Sequence, residues 1–337
     1  MHGGAVTLAR EFLERKLHPD LILATDMLDV TTFLSLTRRS TANIPIAIYF
    51  HENQITYPWS PTDRDVRQNR DYHYGFINFT SALAADHIFF NSSYHRNAFL
   101  KELPRFLKHF PDHRELNAVQ EVEKKSSVLH LGLDLKKFDH FKPEKKMKQR
   151  VPVLLWNHRW EYDKNPGDFF QALYLLDKEG LIFQVILIGE NFAQTPEDFA
   201  AARKRLGDKI IQYGYAESFA EYAHWLWRAD ILPVTSHHDF FGTSVVEAVY
   251  CGCTPLLPRR LAYPELLSFS NKDYFYKDLP EFVEKLRALI VNFHEMKNTQ
   301  LSAGVRHFDW QEMVRIYDDK FDELKSNFKF RNPNFEI

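Results

Sequence analysis

The sequence predicts an α/β protein with two Rossmann-like, doubly wound domains facing each other across a cleft. Two observations indicate this class. Short apolar runs typical of buried strands alternate with longer stretches at helical spacing along most of the chain. The alternation also occurs twice, on either side of a polar, lysine-rich segment at 138–150. Alternating strands and helices form parallel sheets covered by helices on both faces, and 337 residues suffice for two such domains.

The first half begins with a helix-like stretch at 5–16 and not with a strand. We therefore expect the first domain to lack its N-terminal βα unit. Ser92 is a suitable N-cap for a helix that begins after it. The remaining elements predicted for this half are strands at 21–25, 44–50, 87–90 and 128–131, and helices at 28–36, 77–85 and 93–103.

The second half repeats the pattern, and a long stretch at 310–328 with helical spacing predicts a C-terminal packing helix. We place the first domain at 1–145, the second at 146–308 and the C-terminal helix at 309–337. The elements predicted for the second domain are strands at 151–156, 183–188, 210–213, 231–235 and 254–257, and helices at 168–178, 195–205, 217–228 and 243–250.

Charge and composition exclude several classes of protein. The net charge of −2 gives no support for tight, non-specific nucleic-acid binding, although residues 1–150 carry 22 Lys and Arg against 18 Asp and Glu. The cations cluster at 136–150, which is either a solvated linker or a contact for a polyanion. No apolar run of eighteen residues or N-terminal signal is present, so we expect no membrane insertion. Two cysteines in the whole chain indicate a reducing compartment, and we expect the cytoplasm, with the nucleus as an alternative for a eukaryotic protein.

Two cations follow the predicted strand at 151–156. Arg159 and Lys164 lie between that strand and a helix, and Trp156 and Trp160 bracket Arg159. Arg grips phosphate oxygens through two parallel hydrogen bonds, and Lys supplies a compact point charge. Because ligands of parallel sheets bind beyond the carboxyl ends of the strands, this pair predicts a diphosphate site.

Two carboxylates eight residues apart follow the predicted strand at 231–235. Asp239 precedes the glycine turn at Gly242, and Glu247 lies one turn into the helix that begins at Thr243 and Ser244. Amides at a helix start bind anions, and carboxylates accept hydrogen bonds from sugar and ribose hydroxyls. A metal cluster at 237–239 is the alternative, but adjacent residues seldom point at one ion, and Cys251 and Cys253 lack a second ligand pair for zinc. We expect no metal.

Polar and aromatic residues follow the strand at 44–50 in the first half. His51 comes directly after that strand, where a buried structural histidine is the ordinary alternative to a site residue. The aromatic side chains nearby suit a ring-bearing acceptor, and a further polar group lies at 112–114. The candidate acceptor-binding residues are Glu52, Asn53, Gln54, Tyr57, His73, Tyr74, Asp112, His113 and Arg114.

The second half resembles the family 4 retaining glycosyltransferases of the GT-B fold. Arg159 and Lys164 are similar to that family's diphosphate-binding pair, and Asp239 to Glu247 is similar to its Glu-x7-Glu motif, with Asp in first place. The segment Leu131-Gly132-Leu133-Asp134 through Phe138 resembles its Asn-Gly-Val-Asp…Phe segment, with Leu in place of Asn.

Further blocks resemble the tRNA-queuosine α-mannosyltransferases, and this similarity runs through nearly the whole chain. The more specific blocks are His51-Glu52-Asn53-Gln54 and Pro111-Asp112-His113-Arg114. Three further blocks are Tyr57-Pro58, Tyr74-Gly75-Phe76 and Phe90-Asn91-Ser92.

The resemblance implies a retaining transfer of mannose from GDP-mannose to the cyclopentenediol of queuosine in the anticodon of tRNA-Asp. It implies an acceptor-binding first domain, a donor-binding second domain, a C-terminal helix that returns to the first, and no cofactor beyond the nucleotide sugar. A lipid or small-molecule acceptor is one alternative, and a catalytically impaired tRNA-binding module is another. The implied catalytic residues are His51, Arg159, Lys164 and Asp239, and the implied donor-binding residues are Gly242, Thr243, Ser244, Glu247, Gly189 and Glu190.

Overall fold

A computed structural model describes residues 2–58, 71–144, 151–190, 197–267, 272–295 and 299–331. The chain divides into two compact units. One unit comprises Met1–Leu131 with Val314–Ile337, and the other comprises Gly132–Met313. The division thus follows Leu131, whereas we had placed it after 145. Four of the seven cations in the basic cluster at 136–150 lie outside the described residues, which include 136–144.

The first unit contains a sheet of four parallel strands in the order β1-β2-β3-β4. All five residues of β2 are buried, and Ile48 pairs with Ile88 of the next strand. A strand covered on both faces reads as a continuous apolar run, which is why β2 was the clearest strand of this half. The strands are β1 (Ile22–Thr25), β2 (Ile46–Phe50), β3 (His87–Phe90) and β4 (Ser126–Val128).

Helices pack on this sheet and cover its core. Ser92 caps α4, accepting a hydrogen bond from the amide of His95 at 3.0 Å, so the predicted cap is confirmed. The rings of Phe50, Phe90 and Phe99 lie 5.1–5.4 Å apart in the core. The helices are α1 (His2–Glu14), α2 (Val30–Thr41), α3 (Asp71–Ala84), α4 (Ser93–Leu107) and α5 (Ala118–Lys124).

The second unit contains a sheet of six parallel strands in the order β10-β9-β8-β5-β6-β7. Leu154 of β5 pairs with Val185 of β6 on one side and with Ile231 of β8 on the other. The strand order therefore reverses at β5, and ligands of such sheets bind where the order reverses. The strands are β5 (Val153–Trp156), β6 (Gln184–Ile188), β7 (Ile210–Gly214), β8 (Ile231–Pro233), β9 (Thr254–Pro258) and β10 (Phe275–Tyr276).

The helices of the second unit enclose a core rich in Trp, Phe and Leu side chains. Trp156 and Phe169 are fully buried at its centre, with ring centroids 5.0 Å apart. The helices are α6 (Pro166–Lys178), α7 (Glu197–Leu206), α8 (Phe219–Arg228), α9 (Thr243–Tyr250), α10 (Tyr263–Leu266), α11 (Leu279–Val291) and α12 (Thr299–Val305).

The last helix, α13 (Trp310–Arg331), contributes most of its length to the first unit. The hydroxyl of Tyr317 donates to the carbonyl of His130 at 2.9 Å and lies 3.3 Å from the hydroxyl of Tyr49. Phe321 packs against Phe89 of β3. Of the helices in the described ranges, none is both long enough and apolar enough to cross a membrane.

Candidate active site

The segment after β5 is held by a side chain of β5 and by a backbone hydrogen bond to the residues after β6. The indole of Trp156 donates to the carbonyl of His158 at 3.0 Å, and the amide of Trp160 donates to the carbonyl of Glu190 at 3.0 Å. A Cβ atom on Gly189 would lie 2.0 Å from the carbonyl oxygen of His158, so only glycine allows this approach. Gly189 and Glu190, predicted in the donor site, thus border the segment that carries the two cations.

Lys164 lies in a short 3-10 turn at the end of this segment and is buried. Its Nζ donates to the carbonyl of His238 at 2.8 Å and lies 3.1 Å from a carboxylate oxygen of Asp163. Asp239, which follows β8, is 3.9 Å away. The structure therefore brings together Lys164 and Asp239, as expected for residues beyond the carboxyl ends of neighbouring strands. The three protons of the ammonium group thus face one carbonyl and two carboxylates.

The two carboxylates keep Lys164 charged. Burial lowers the pKa of Lys164, but Asp239 and Asp163 outweigh that effect, and the pKa is raised overall. The nearby imidazoles respond in the opposite direction. Burial, reinforced by the charge of Lys164, lowers the pKa of His158 and of His238 to about 4 in each case. Both histidines are therefore neutral at pH 7, and Lys164 supplies the buried positive charge.

Asp239 is fixed by two hydrogen bonds. One oxygen accepts from the amide of Phe241 at 3.2 Å, and the other accepts from the hydroxyl of Tyr263 at 3.2 Å. Gly242 follows with φ +101°, and a Cβ atom there would lie 2.8 Å from Leu266. The glycine is thus required twice, by its left-handed backbone and by close packing.

Helix α9 begins directly after this turn. The first amides of a helix have no partner within it, so those of Thr243 and Ser244 point out of its N-terminus. The hydroxyl of Ser244 lies 2.9 Å from Nδ1 of His158. The start of α9 is therefore tied to the segment after β5, and this arrangement suits an anionic group between them.

Glu247 lies one turn further along α9 and forms part of a three-residue chain of hydrogen bonds. The hydroxyl of Tyr222 on α8 donates to Oε2 of Glu247 at 2.7 Å. The amide of Asn157 lies 3.3 Å from the same hydroxyl and donates to the carbonyl of Ser244 at 2.8 Å. Burial raises the pKa of Glu247 to about 7, although the bond from Tyr222 acts in the opposite direction.

Arg159 differs from Lys164 in its surroundings. Its guanidinium group lies 3.3 Å from a carboxylate oxygen of Glu161, and its side chain is 43% exposed. The guanidinium group has five N–H bonds in a planar fork, which suits the oxygens of a diphosphate. Lys164 is thus the fixed cation of the site, and Arg159 is the cation that solvent reaches.

In the first unit, His51 lies at the carboxyl end of β2. Its amide donates to a carboxylate oxygen of the buried Asp26 at 2.8 Å, and its ring nitrogen Nδ1 lies 3.5 Å from the same oxygen. The amide of Asn91 donates to the carbonyl of His51 at 2.9 Å. The imidazole is 49% exposed, so the backbone is fixed while the ring can reach a ligand.

The residues after His51 differ in their access to solvent. Asn53 is fully buried, and its side-chain oxygen accepts from the amides of Ile55 at 3.1 Å and Thr56 at 2.9 Å. We therefore assign Asn53 to the turn itself and not to acceptor contact. Glu52 and Gln54 are partly exposed and bonded to each other at 2.9 Å.

The other predicted acceptor residues lie on two segments of the first unit. His73 and Tyr74 are in the first turns of α3, and Tyr57 precedes that helix. Asp112, His113 and Arg114 form an exposed segment after α4, where Nε of Arg114 donates to the carbonyl of Phe110 at 2.9 Å. Tyr72 of α3 packs on His109, which lies between α4 and the segment 112–114.

Sequence reasoning missed several residues of this site. Asp163 and His158 were passed over, although both stand inside the segment that we singled out. Asn157 was also passed over, although it directly follows the strand at 151–156. Tyr222 carried no recognisable signal, because its bond to Glu247 joins distant parts of the chain. Asp26 follows β1 at a strand end, which could have drawn attention to it. Within the described ranges, no group of three His, Cys, Asp or Glu side chains is arranged to hold a metal ion.

Comparison with known families assigns both halves of the chain. Residues 1–133 match the model of the tRNA-queuosine alpha-mannosyltransferase N-terminal domain, and residues 136–293 match the glycosyl transferases group 1 model. The tRNA-queuosine alpha-mannosyltransferase of Drosophila melanogaster is 31% identical over 316 residues, which cover 92% of this chain and 76% of the fly protein. The chain belongs to the tRNA-queuosine alpha-mannosyltransferase family. The resemblance seen in the sequence is confirmed.

More distant relatives of this tRNA-queuosine alpha-mannosyltransferase family member match somewhat more than half of the chain. A GDP-mannose:cellobiosyl-diphosphopolyprenol alpha-mannosyltransferase from Xanthomonas oryzae is 23% identical over 51% of this chain and 47% of its own length. The protein from Xanthomonas campestris with the same name is 22% identical over 58% of this chain and 52% of its own length.

Solved structures confirm the fold. Sucrose-phosphate synthase from Thermosynechococcus elongatus superposes with a TM-score of 0.68 at 16% identity, over 94% of this chain and 76% of its own. A trehalose-phosphate synthase from Burkholderia xenovorans superposes with a TM-score of 0.67 at 15% identity. The superposition covers 97% of this chain and 78% of the synthase chain. The predicted GT-B glycosyltransferase fold is thereby established for this mannosyltransferase family member.

Proposed function

We propose that this protein transfers mannose from GDP-mannose to the cyclopentenediol of queuosine in the anticodon of tRNA-Asp, with retention at the anomeric carbon. The observation that carries this proposal is the 31% identity to a tRNA-queuosine alpha-mannosyltransferase over 92% of the chain. Two weaker relatives whose names specify GDP-mannose support the choice of donor. A tRNA substrate supports action in the cytoplasm.

The second unit suits the departure of a diphosphate. Lys164 presents a charged ammonium group beside Asp239, and the start of α9 presents its first amides. We assign to Lys164, Arg159 and the amides of Thr243 and Ser244 the stabilisation of negative charge that develops on the leaving group. A fixed donor of this kind contributes about 3 kcal/mol to lowering the barrier.

Retention is proposed to occur without a protein nucleophile. The acceptor hydroxyl attacks the face that the diphosphate leaves, through an oxocarbenium-like state, and the leaving phosphate takes the hydroxyl proton. Asp239, held by Phe241 and Tyr263, is placed to orient sugar hydroxyls, and Glu247 is placed to accept from the ribose. His51 retains its predicted catalytic role as a proposal from the sequence.

We further propose that the reaction proceeds without a metal ion. A bound metal ion is one way to stabilise the charge that develops on phosphoryl oxygens. Here the raised pKa of Lys164 keeps a buried positive charge in the site, and the dipole of α9 adds to it. Turnover that is unchanged in excess EDTA is the expected result.

The deciding experiment is incubation of the protein with GDP-mannose and queuosine-containing tRNA-Asp, followed by mass analysis of the digested nucleosides. The expected result is a mass gain of one hexose on queuosine alone. The same tRNA with guanosine in place of queuosine is the matched control and should gain nothing. Hexose transfer from UDP-glucose but not from GDP-mannose would contradict the donor, and absence of transfer from either would contradict the function.

A further inference from the structure

The chain of hydrogen bonds from Asn157 through Tyr222 to Glu247 has a fixed direction. The amide of Asn157 donates to the carbonyl of Ser244 at 2.8 Å, which identifies the nitrogen side of that amide. The same nitrogen lies 3.3 Å from the hydroxyl of Tyr222, and nitrogen of this kind can only donate. The single proton of the phenol is therefore free to point to Oε2 of Glu247, at 2.7 Å.

This arrangement engages only one of the two carboxylate oxygens of Glu247. Oε2 accepts from Tyr222 at 2.7 Å, and this is the side-chain hydrogen bond that Glu247 forms with the described residues. A carboxylate in a partly buried site with one donor is short of hydrogen bonds, and a ligand with hydroxyl groups would supply them. The phenol also fixes the rotation of the carboxylate, so Oε1 points in one direction only.

Three separate elements meet at this chain. Asn157 follows β5, Tyr222 lies on α8, and Glu247 lies on α9, whose first turn also carries Ser244. The amide of Asn157 therefore ties the position of the phenol to the helix start to which we assigned the diphosphate. A ribose and a diphosphate are joined in one nucleotide, so the two subsites must keep a constant separation.

We infer that Tyr222, supported by Asn157, is a positioning residue that orients Glu247 toward the ribose diol of the nucleoside diphosphate and so sets the preference for a ribonucleotide over a deoxynucleotide. This inference rests on the proposed function, because it takes Glu247 as the ribose contact. The inference adds Tyr222, which lies on α8 and not on α9. Tyr222 would act on the ligand only through the carboxylate of Glu247.

The test compares GDP with 2′,3′-dideoxy-GDP by calorimetric titration of the full chain and of Tyr222→Phe. Wild-type protein should prefer GDP by tenfold or more. Tyr222→Phe removes only the hydroxyl, so it should reduce that preference about tenfold while leaving dideoxy-GDP affinity within twofold. The KM for GDP-mannose should rise in parallel, with kcat within about twofold of wild type.

Tyr250→Phe is the matched control. Its hydroxyl donates to a carboxylate oxygen of Asp139 at 2.9 Å, so the substitution also removes a phenol–carboxylate bond from α9, but at a different place. It should leave the preference for GDP unchanged. Asn157→Ala, a second variant in the chain, should reduce the preference by a smaller factor than Tyr222→Phe.

The pH profile provides a readout that a purely structural role would not change. GDP affinity should rise as the carboxyl of Glu247 ionises, and in Tyr222→Phe the midpoint should move to higher pH. Equal weakening of GDP and dideoxy-GDP, or an unchanged preference, would overturn the role of Tyr222 while leaving the donor assignment intact. If the wild-type protein bound GDP and dideoxy-GDP equally, both the inference and the assignment of Glu247 to the ribose would be wrong.

Discussion

At the scale of single residues, Lys164 is the side chain on which the proposed chemistry depends most. Its ammonium group is buried between two carboxylates and the carbonyl of His238. An uncompensated carboxylate would remain at Asp163 if this group were removed, which costs about 3 kcal/mol for a buried pair. Lys164 therefore contributes both to stability and to the charge that a leaving diphosphate would meet.

Lys164→Ala should lower kcat by about a hundredfold or more and change the KM for tRNA by less than threefold, because the lost charge acts on the leaving group. Steady-state kinetics below the unfolding temperature would measure both. Lys209→Ala is the control, since Lys209 pairs with Asp177 at a partly exposed position away from the site. Equal losses in kcat and in tRNA binding would contradict the role of Lys164.

Glu247 should make stability depend on pH. Burial raises its pKa from 4.5 to about 7, so the folded protein retains a proton that the unfolded chain loses above pH 4.5. Stability contributed by that proton is complete below pH 4.5 and is lost as the pH rises to 7, by at most about 3 kcal/mol.

Glu247→Gln removes this ionisation. The variant should match wild type in thermal midpoint at pH 5 and exceed it at pH 8, in the absence of nucleotide. Melting curves followed by circular dichroism at the two pH values provide the measurement. If the thermal midpoints of Glu247→Gln and wild type differed by the same amount at pH 5 and at pH 8, the effect would come from packing and not from charge.

At the scale of elements, the contact between β6 and the segment after β5 determines the shape of the site. A Cβ atom at Gly189 would lie 2.0 Å from the carbonyl oxygen of His158 and 3.0 Å from the indole of Trp160. A backbone atom cannot move aside without a large energetic cost, so the whole segment carrying Arg159 and Lys164 would have to shift.

Gly189→Ala should therefore lower the free energy of unfolding by about 2 kcal/mol and raise the KM for GDP-mannose. Gly167→Ala is its control, because a Cβ atom there meets nothing closer than 3.8 Å and the residue lies in helix α6. That control should be neutral or more stable by about 0.5 kcal/mol. Urea unfolding and donor kinetics would show both effects, and equal behaviour of the two variants would contradict the packing argument.

The elements also show what the sequence can predict. The buried strands and the helix Thr243–Tyr250 were predicted from apolar runs and from the glycine before the helix. The start of α3 was placed at 77, but the helix begins at Asp71 and includes Gly75. In the structure a Cβ atom at Gly75 would lie 2.8 Å from Phe106, so this glycine serves helix packing.

The short edge strands were predicted wrongly or missed, for a different reason. We placed β4 at 128–131, whereas it spans Ser126–Val128 with partly buried residues throughout, and β10 has two residues and was missed. Short edge strands depend on pairing with a neighbour more than on their own apolar pattern. Lys164 and Asp239 were both predicted beyond the ends of strands, but the strand order was not predicted. The bond between Tyr222 and Glu247 depends on the rotation of two helices, which periodicity does not give.

At the scale of the whole molecule, the two family matches suggest a division of roles. Residues 1–133 match a domain model specific to the tRNA-queuosine enzymes, whereas 136–293 match a model shared across glycosyl transferases. A domain found in many glycosyl transferases, such as 136–293, suits a common donor chemistry. A domain specific to one family, such as 1–133, suits a particular acceptor. We therefore expect substitutions on the surface of the first unit to affect tRNA and to leave the donor unaffected.

Arg114→Glu tests this division. Arg114 is exposed beside His113, and its Nε donates to the carbonyl of Phe110. A phosphate contact at this position predicts that the variant raises the KM for queuosine-containing tRNA about tenfold at low salt. It also predicts that the slope of log KM against log salt concentration falls by about 1. The KM for GDP-mannose should stay within twofold.

Lys124→Glu is the matched charge reversal in the same unit. Lys124 ends α5 and precedes β4, so it lies near the edge where the strands begin, and ligands of parallel sheets bind at the opposite edge. It should change neither the KM for tRNA nor its salt dependence. If both variants weakened tRNA binding equally, the effect would come from the overall charge of the unit. If Arg114→Glu changed the KM for GDP-mannose as much as that for tRNA, the division of roles would be wrong.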